Sequence, residues 1–329
     1  MSDKEKTNVL AVTSSPHFYD TSRVPRIMRD VFIALLPATL VGIWHFGVQS
    51  LLVVLLSIIS CVLVEAIAQK MLGKAVTVND WSAALTGLLL ALNLPGNAPW
   101  WLVLTGAVVA IYLGKQIFGG LGHNPFNPAL VARVFLLISF PMAMTSWPKA
   151  LSFPLKFNVM TQATPLGILK TDGVAKAMAS TSYLDLFFGR MGGCIGEISA
   201  AALLLGGIYL MAKKIISWEI PLSFIATVFV ISGVFHLLDP GKYADPLFHI
   251  LAGGLFLGAF FMATDYVTSP MALKGRLLFG FLCGLITVVI RLWGGYPEGV
   301  SFAILFMNGL VPLIDKYMLP KKFGRRVGR

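Results

Sequence analysis

The chain has 329 residues, of which 57% are apolar and only 12% are charged. Ordinary soluble domains are about 45–50% apolar and about 25% charged, so this composition excludes a typical cytosolic enzyme. It also excludes a disordered chain, which has few apolar residues and many charges. The net charge of +11 comes from lysines and arginines that lie between apolar runs. Such a distribution is typical of the loops of a membrane protein and does not require a nucleic-acid partner.

The cysteines and histidines predict no metal or disulfide framework. Cys61, Cys194 and Cys283 are too few and too widely spaced for a set of disulfides. None of them forms a C-x-x-C pair, so we do not expect this chain to hold an iron–sulfur cluster by itself. The five histidines show no metal-ligand spacing, and we expect no metal site.

Ten apolar segments are candidate membrane helices, because the hydrocarbon core of a bilayer requires about 20 apolar residues per helix. The polar segment 1–30 lacks the apolar run of a signal peptide and is expected to stay in the cytoplasm. The eighth candidate ends at Thr264-Asp265 and is predicted as a broken helix. In chain order the candidates are 31–47, 50–70, 80–94, 99–117, 127–145, 194–212, 217–238, 247–264, 273–291 and 300–318.

The positions of lysine and arginine predict the orientation of these helices. With ten helices, most loop cations and both termini fall on the cytoplasmic side, and the long connection falls outside. Five helices then precede this connection and five follow it, so the halves have opposite orientations, as in an inverted repeat. We therefore expect an all-α polytopic protein with an N-terminal segment 1–30, membrane halves 31–145 and 194–318, an external loop 146–193 and a basic cytoplasmic tail 319–329.

A segment of the long connection, 158–167, is rich in hydroxyl groups and contains a proline. Pro165 disfavours a helical conformation of the residue before it, so Thr164 is expected in extended backbone with its hydroxyl pointing outward. An exposed hydroxyl in extended backbone is what a modifying enzyme requires. An ordinary turn explains the same residues, and both interpretations stay open at this point.

The tetrapeptide Thr161-Gln162-Ala163-Thr164 resembles the S/T-x-A-T flavinylation motif of the NqrB/RnfD family, the membrane subunits of ion-pumping redox complexes. Further segments are similar to the same family, and their order is preserved over nearly the whole chain. They are Ser14-Ser15-Pro16 with Thr21-Ser22-Arg23, 85–91, 119–129, 258–261 with Thr264-Asp265, and Gly294-Gly295-Tyr296-Pro297.

The resemblance implies that Thr164 carries FMN through a phosphoester bond, with Thr161 and Ala163 in the motif that a flavin transferase recognises. It also implies a second, non-covalent flavin, riboflavin, near the cytoplasmic side. The family often has an aspartate six residues before the modified threonine, where this chain has Asn158. This departure bears on how efficiently a flavin transferase acts, not on which threonine is the acceptor.

Four more residues are candidates for a site. Asn124 and Asn127 precede the fifth helix, where Asn127 is the expected N-cap and free N–H groups would face the carbonyls or phosphate of a flavin. A rigid turn at the membrane surface explains this pattern as well. Glu65 lies inside the second helix and Asp265 at the end of the eighth. Charges at membrane depth are costly, so we assign both to an ion path, with a pair between helices as the alternative for Glu65.

As a function, the resemblance implies a flavin-carrying subunit of an ion-translocating oxidoreductase in the bacterial inner membrane, not a complete enzyme. Rnf-type complexes pass electrons between ferredoxin and NAD and move Na⁺ or H⁺. The expected partners are a second flavinylated subunit, an iron–sulfur subunit and further membrane subunits. The short N-terminal segment favours the RnfD branch, with an NqrB-like subunit of a Na⁺-pumping NADH:quinone reductase as the alternative. A solute transporter or channel of inverted repeats without flavin fits the composition equally well.

The topology generates the first testable prediction. A reporter enzyme that works only after export should be active when it is fused after Ala175. A reporter enzyme that works only in the cytoplasm should be active when it is fused to either terminus. The reason is the charge difference between the loops on the two sides. Cytoplasmic activity of the fusion at Ala175 would contradict the ten-helix arrangement.

Overall fold

The computed structural model describes residues 24–150 and 161–318. These residues form helices and no strand, with isolated bridges between Pro95 and Cys194 and between Pro148 and Thr161. A 3₁₀ turn covers Val78–Asp80. The helices are α1 (Val24–Phe46), α2 (Val48–Met71), α3 (Ser82–Leu92), α4 (Trp100–Val108, continued as a π-helix over Val109–Gln116), α5 (Pro128–Ser139), α6 (Pro141–Met144), α7 (Pro165–Asp172), α8 (Val174–Ser180), α9 (Tyr183–Phe188), α10 (Ala200–Ala212), α11 (Glu219–Leu238), α12 (Pro246–Leu251), α13 (Leu255–Leu257, continued as a π-helix over Gly258–Met262), α14 (Leu273–Trp293) and α15 (Val300–Met318).

Five of these helices, α1, α2, α11, α14 and α15, are long and apolar enough to cross a membrane. Helices α3, α5 and α10 are also apolar but shorter. The many apolar side chains that these helices expose would be in contact with lipid. The prediction of an all-α membrane protein is thereby confirmed.

Each of the ten predicted segments contains helix, but the structure departs from the prediction in several of them. Helix α1 begins at Val24 because a turn that carries Arg26 and Arg29 continues the apolar helix toward the N-terminus. Helix α10 begins only at Ala200, because residues 194–196 form backbone hydrogen bonds outside any helix. The eighth segment is interrupted at residues 252–254, where Gly253 has a φ of +75° that terminates α12.

Side-chain caps explain where the helices next to the candidate residues begin. The Asn127 carbonyl oxygen accepts hydrogen bonds from the backbone N–H groups of Ala129 at 3.1 Å and Leu130 at 3.4 Å, with Pro128 in the first turn of α5. This confirms the predicted cap. Thr164 caps α7 in the same manner, again with a proline in the first helical position.

The two halves of the chain meet where helices end. The backbone N–H groups of Ile195 and Gly196 donate to the carbonyls of Leu94 at 3.1 Å and Leu92 at 2.9 Å. The non-helical segment before α10 thus satisfies the free carbonyls at the end of α3. Helix α1 packs against α10, and α5 packs against α15, so each half contributes to one continuous apolar core.

The long connection forms a small cap of three short helices, α7 to α9. Its apolar side chains pack on α12 in a second, separate cluster, which includes Leu166, Leu186 and Phe248. Helix α7 therefore has a fixed position relative to the second half, and so has Thr164 at its start.

The close contact between α1 and α10 generates a prediction about stability. A Cβ atom on Gly206 would overlap the carbonyl oxygen of Ala34. Alanine normally stabilises a helix relative to glycine by roughly 0.5–1 kcal/mol. We expect the opposite sign for Gly206→Ala, a loss of about 1–3 kcal/mol, because the clash involves backbone that has little room to move.

Gly309→Ala is the matched control. It also lies in a helix, and the nearest atom to its added Cβ is Phe126 Cε1 at 3.5 Å, an ordinary contact. Thermal unfolding in detergent should give a lower Tm for Gly206→Ala and an unchanged or higher Tm for Gly309→Ala. Equal Tm values for both variants would show that α1 and α10 separate more easily than this packing implies.

Candidate functional site

Thr164 lies in extended backbone at φ −69° and ψ 153°, as Pro165 predicts. Its hydroxyl oxygen accepts a hydrogen bond from the backbone N–H of Gly167 at 3.1 Å, and its carbonyl accepts one from Ile168 at 2.9 Å. The side chain is half-buried. The hydroxyl thus lies at the positive end of α7 and is partly shielded from solvent.

Two small cavities flank Thr164. The threonine site is our name for these two cavities together with the residues Thr164, Arg133, Glu197 and Glu298. The first has a volume of about 10 Å³ and the second about 60 Å³. Thr164 and Glu298 line both of them. The first is otherwise lined by Pro165, Leu166, Met191, Gly192, Gly193, Glu197, Ile198 and Gly253, and the second by Arg133, Leu137, Met144, Thr145, Trp147, Tyr296, Pro297, Ser301 and Phe302.

The second cavity has an aromatic wall. The rings of Tyr296 and Phe302 stack with centroids 5.0 Å apart and an interplanar angle of 28°. Trp147 lines the same space. Flat aromatic side chains next to a buried cation can accommodate a flat, polar-edged ring system.

A buried ion cluster lies directly behind Thr164. The Arg133 guanidinium donates to Glu197 Oε1 at 2.6 Å and to Glu298 Oε2 at 2.5 Å. It also donates to the side-chain oxygen of Asn93 at the end of α3. The side chains of Arg133 and Glu197 are 7% and 4% exposed, so this ion pair is shielded from water.

The charge state of Glu298 depends on this crowding. Glu298 lies in the loop between α14 and α15, where burial and the neighbouring Glu197 carboxylate raise its pKa to about 8, against the opposing effect of Arg133. Two carboxylates share one guanidinium, and the attraction of Arg133 does not fully compensate the burial of Glu298.

Lys170 fastens α7 to the second half. Its ammonium group donates to the carbonyls of Tyr296 at 2.8 Å and of Gly294, at the C-terminal end of α14. Burial lowers the pKa of Lys170. The cation interacts favourably with the negative end of the α14 dipole, and this fixes Thr164 relative to Glu298.

The other predicted residues of the motif lie at the surface. Thr161 and Ala163 are exposed, and the N–H of Gln162 between them donates to the Trp147 carbonyl at 2.9 Å. Asn158 lies outside the described residues. The structure therefore brings Thr161, Ala163 and Thr164 into one accessible strip of extended chain.

Asn124, Asn127 and Asp265 meet at a different cavity, which we call the asparagine cavity. It has a volume of about 80 Å³ and lies between the two halves. Lys115 also lines it, with apolar walls from residues of α1, α3 and α10 and from Phe260 and Phe261. No pattern in the sequence indicated that Asp265 of the second half would join the two asparagines of the first.

The two asparagines differ in what their amides are free to do. The oxygen of Asn127 caps α5, and its Nδ2 donates to the Met262 carbonyl at 3.4 Å. Nδ2 of Asn124 donates to the carbonyl of Phe126 at 3.1 Å, and within the described chain its oxygen accepts no hydrogen bond. Asn127 thus holds helices together, whereas Asn124 still has an acceptor to offer.

Glu65 lies behind the asparagine cavity in a pair between helices. Its two oxygens accept hydrogen bonds from the Lys115 ammonium at 2.7 and 2.9 Å, and both residues are almost fully buried. Gln69 and Gln116 also donate to Glu65, at 3.2 and 3.0 Å. The structure contains the pair between helices, and an ion-path role for Glu65 stays a prediction.

Sequence reasoning did not identify Glu197, Glu298, Lys115 or Arg133 as site residues. Arg133 is 6% exposed and buried in the ion cluster. The only signal for these residues was a charge beside an apolar run, as in Gly196-Glu197 and Pro297-Glu298. In the described part of the chain, no group of three or more His, Cys, Asp or Glu side chains could hold a metal ion.

Comparison with known proteins finds relatives that match this chain over nearly its whole length. The model of the "NQR2, RnfD, RnfE family" matches residues 11–324. The D subunit of the Na⁺-translocating ferredoxin:NAD⁺ oxidoreductase complex of Acetobacterium woodii is 51% identical, over 96% of this chain and 95% of that protein. The D subunit of the proton-translocating ferredoxin:NAD⁺ oxidoreductase complex of Clostridium ljungdahlii is 44% identical over 98% of both chains. The D subunit of an ion-translocating oxidoreductase complex of Escherichia coli is 39% identical, over 97% of this chain and all of the relative.

The ion cluster generates a prediction that separates buried from exposed charge pairs. Arg133→Met should destabilise the fold by about 3–5 kcal/mol, because it leaves two carboxylates without their cation. Changing Glu197 and Glu298 to Gln in the same chain should restore most of this loss.

Lys176→Met is the control, because Lys176 and Asp172 lie 2.7 Å apart and their side chains are 69% and 36% exposed. A pair of this kind contributes at most about 1 kcal/mol. Thermal unfolding in detergent measures all three variants. A Tm for Arg133→Met as high as that of Lys176→Met would mean that the cluster is not a buried one in the protein.

Proposed function

The chain belongs to the NQR2, RnfD, RnfE family, and we propose that it carries a covalent FMN on Thr164 within an ion-translocating ferredoxin:NAD⁺ oxidoreductase complex. It acts there as the D subunit, a part of an oxidoreductase and not a complete enzyme. Relatives named for Na⁺ and for protons are both similar over nearly their full length, so the proposal covers either cation. The names of these relatives favour this assignment over an NqrB-like subunit and over a transporter without flavin.

The observation that carries the flavin proposal is the position of the Thr164 hydroxyl. It closes the T-x-A-T motif, it is half-buried, and it lies 3.1 Å from a backbone N–H at the start of α7. A phosphate esterified to this oxygen would be next to the N-terminus of a helix, where free N–H groups and the helix dipole stabilise negative charge. The exposed Thr161 and Ala163 leave the motif open to a flavin transferase.

The residues around Thr164 fit the ring of a flavin in their chemistry. Tyr296, Phe302 and Trp147 supply an aromatic wall, and Arg133 supplies a cation. The present volume of about 60 Å³ is below the roughly 300–1,000 Å³ of typical ligand pockets. Binding of the ring therefore requires side chains to move, and Tyr296, which is 39% exposed, is the freest of the aromatic residues.

A flavin bound there would supply the redox chemistry, since flavins accept and donate electrons. The contribution of this chain is to bind and orient the group. Helix α7 would bind the phosphate, and Lys170 holds α7 against α14. Beside the second cavity, Arg133 offsets the negative charge of Glu197 and Glu298.

We assign the second, non-covalent flavin, riboflavin, to the asparagine cavity. This cavity is mainly apolar and has a few polar groups, as ligand sites usually do. Asn124 offers a free acceptor and Asp265 a carboxyl group, whereas Lys115 is already paired with Glu65. Its volume of about 80 Å³ again requires apolar side chains to move on binding. Asn127 would contribute by holding the start of α5 and not through its own amide.

We further propose that the chain crosses the inner membrane ten times in two inverted halves, with the loop of Thr164 outside. Support comes from the loop charges and from features that recur in both halves. Lys115 and Arg291 are both buried cations near the end of a helix, and a pair of glycines follows each. Helices α4 and α13 both continue as π-helices next to the asparagine cavity. Glu65 and Asp265 stay candidates for the ion path.

The flavin proposal predicts the outcome of two substitutions in the motif. When the chain is co-expressed with a flavin transferase, the wild type should give a fluorescent band in a denaturing gel. Thr164→Ala should abolish this band while the membrane protein is still produced, because the acceptor oxygen is lost. Thr161→Ala is the matched control and should at most weaken the band, because Thr161 is not the acceptor.

Mass spectrometry of the purified wild type should locate one FMN phosphoester on Thr164. Flavin released by acid from Thr164→Ala would be non-covalent, and its identification as riboflavin would support the second site. A band that survives Thr164→Ala but disappears in Thr161→Ala would show that Thr161 is the acceptor instead. No covalent flavin in the wild type would remove the proposal and direct attention to Asn158.

A further inference from the structure

Glu298 is the one carboxylate that lines both cavities beside Thr164. Its side chain is 19% exposed, compared with 7% for Arg133 and 4% for Glu197. Solvent in the cavities therefore reaches Glu298 more readily than its two partners. Of the two carboxylates that contact Arg133, Glu298 is thus the one that protons from solvent reach more easily.

We propose that Glu298 binds a proton when a flavin on Thr164 is reduced and releases it when the flavin is reoxidised. This inference rests on the flavin proposal. When the flavin receives an electron from its redox partner, one proton from the external solvent forms an O–H bond with the Glu298 carboxylate, and this group binds no second proton. On reoxidation the electron leaves to the acceptor, the same O–H bond breaks, and the proton returns to the solvent.

The charges around Glu298 explain why a proton would follow the electron. Above about pH 8, where Glu298 is ionised together with Arg133, Arg291 and Glu197, the cluster has no net charge. An electron added in the adjacent cavity makes the region negative, and a proton on Glu298 restores neutrality at small cost in a medium of low dielectric constant. The titratable and charged groups that face Glu298 or its partners are Arg133, Glu197, Arg291, Cys194, Lys170 and Tyr296.

Glu298 is also suited to change its proton occupancy at mildly alkaline pH. Its pKa, raised to about 8 by burial and by Glu197, is within reach of the pH outside the cell. A further negative charge nearby raises the pKa again, so the carboxyl is more fully protonated in the reduced state. Glu197 lines only the first cavity and lies 2.6 Å from Arg133, which keeps it ionised in both states.

The test measures the midpoint potential of the covalent flavin between about pH 6 and about pH 10, a range that includes the raised pKa. The protein is the full chain, purified after co-expression with a flavin transferase. Glu298→Gln mimics the protonated side chain at every pH. The midpoint potential of Glu298→Gln should equal that of the wild type at the acidic end of the range. Above about pH 8 the potential of the wild type should become progressively more negative than that of Glu298→Gln.

Glu197→Gln is the matched control, because it removes a neighbouring charge that does not titrate in this range. Glu197→Gln should raise the midpoint potential at every pH. It should also move the pH-dependent part of the potential curve to lower pH, because the loss of the neighbouring charge lowers the pKa of Glu298. Parallel curves for the wild type and Glu298→Gln would overturn the inference, since a purely structural role of Glu298 does not depend on pH.

A measurement on the wild type alone keeps the inference testable if Glu298→Gln fails to fold or to bind flavin. Infrared difference spectra of the reduced minus oxidised protein should contain a new carbonyl band of a protonated carboxyl group, shifted in D₂O. No such band would overturn the inference while the covalent flavin remains. A wild type without covalent flavin is a different result, because it removes the flavin proposal on which this inference depends.

Discussion

Arg133 connects parts of the chain that are far apart in sequence. Its guanidinium reaches Asn93 at the end of α3, Glu197 before α10 and Glu298 before α15, all in or next to an apolar core. A cation in such surroundings is tolerable only when its partners are in place, so the two halves must approach each other in one arrangement. The two cavities beside Thr164 exist because this arrangement leaves space between non-helical segments. The geometry of the threonine site therefore depends on one buried guanidinium.

The asparagine cavity follows the same physical rule with other residues. Lys115 is buried against Glu65 and lies beside the interruption of regular helix in α4. In both sites several polar groups lie where helices end or change their hydrogen bonding, because there the backbone offers free donors and acceptors in an apolar protein. A membrane protein that must hold polar cofactors has few other places for them. This rule links the two flavin sites that we propose.

The tether at Thr164 and the charges behind it serve different purposes in this proposal. The ester bond keeps the flavin near its redox partners and removes the entropic cost of binding it again. The cluster of Arg133, Glu197 and Glu298 adjusts the charge next to the ring. If Glu298 binds one proton when the flavin is reduced, the protein couples electron transfer to a change of protonation. A redox-driven ion pump requires a coupling of this kind at one of its steps.

The sequence by itself determined the fold class, the approximate position of all ten helical segments, the cap at Asn127 and the extended backbone of Thr164. These features follow from apolar periodicity, from loop charge and from the local stereochemistry of proline, which act over a few residues. The flavin acceptor was predicted only from the resemblance of a short motif to that of the NqrB/RnfD family. Only the tertiary structure decided which buried groups meet. It pairs Arg133 with Glu197 and Glu298, pairs Lys115 with Glu65, and places Asp265 beside the two asparagines. Such pairs join residues that are 50 to 165 positions apart, and a single sequence does not record which buried charge meets which, because any partner of opposite sign would satisfy the same electrostatic requirement.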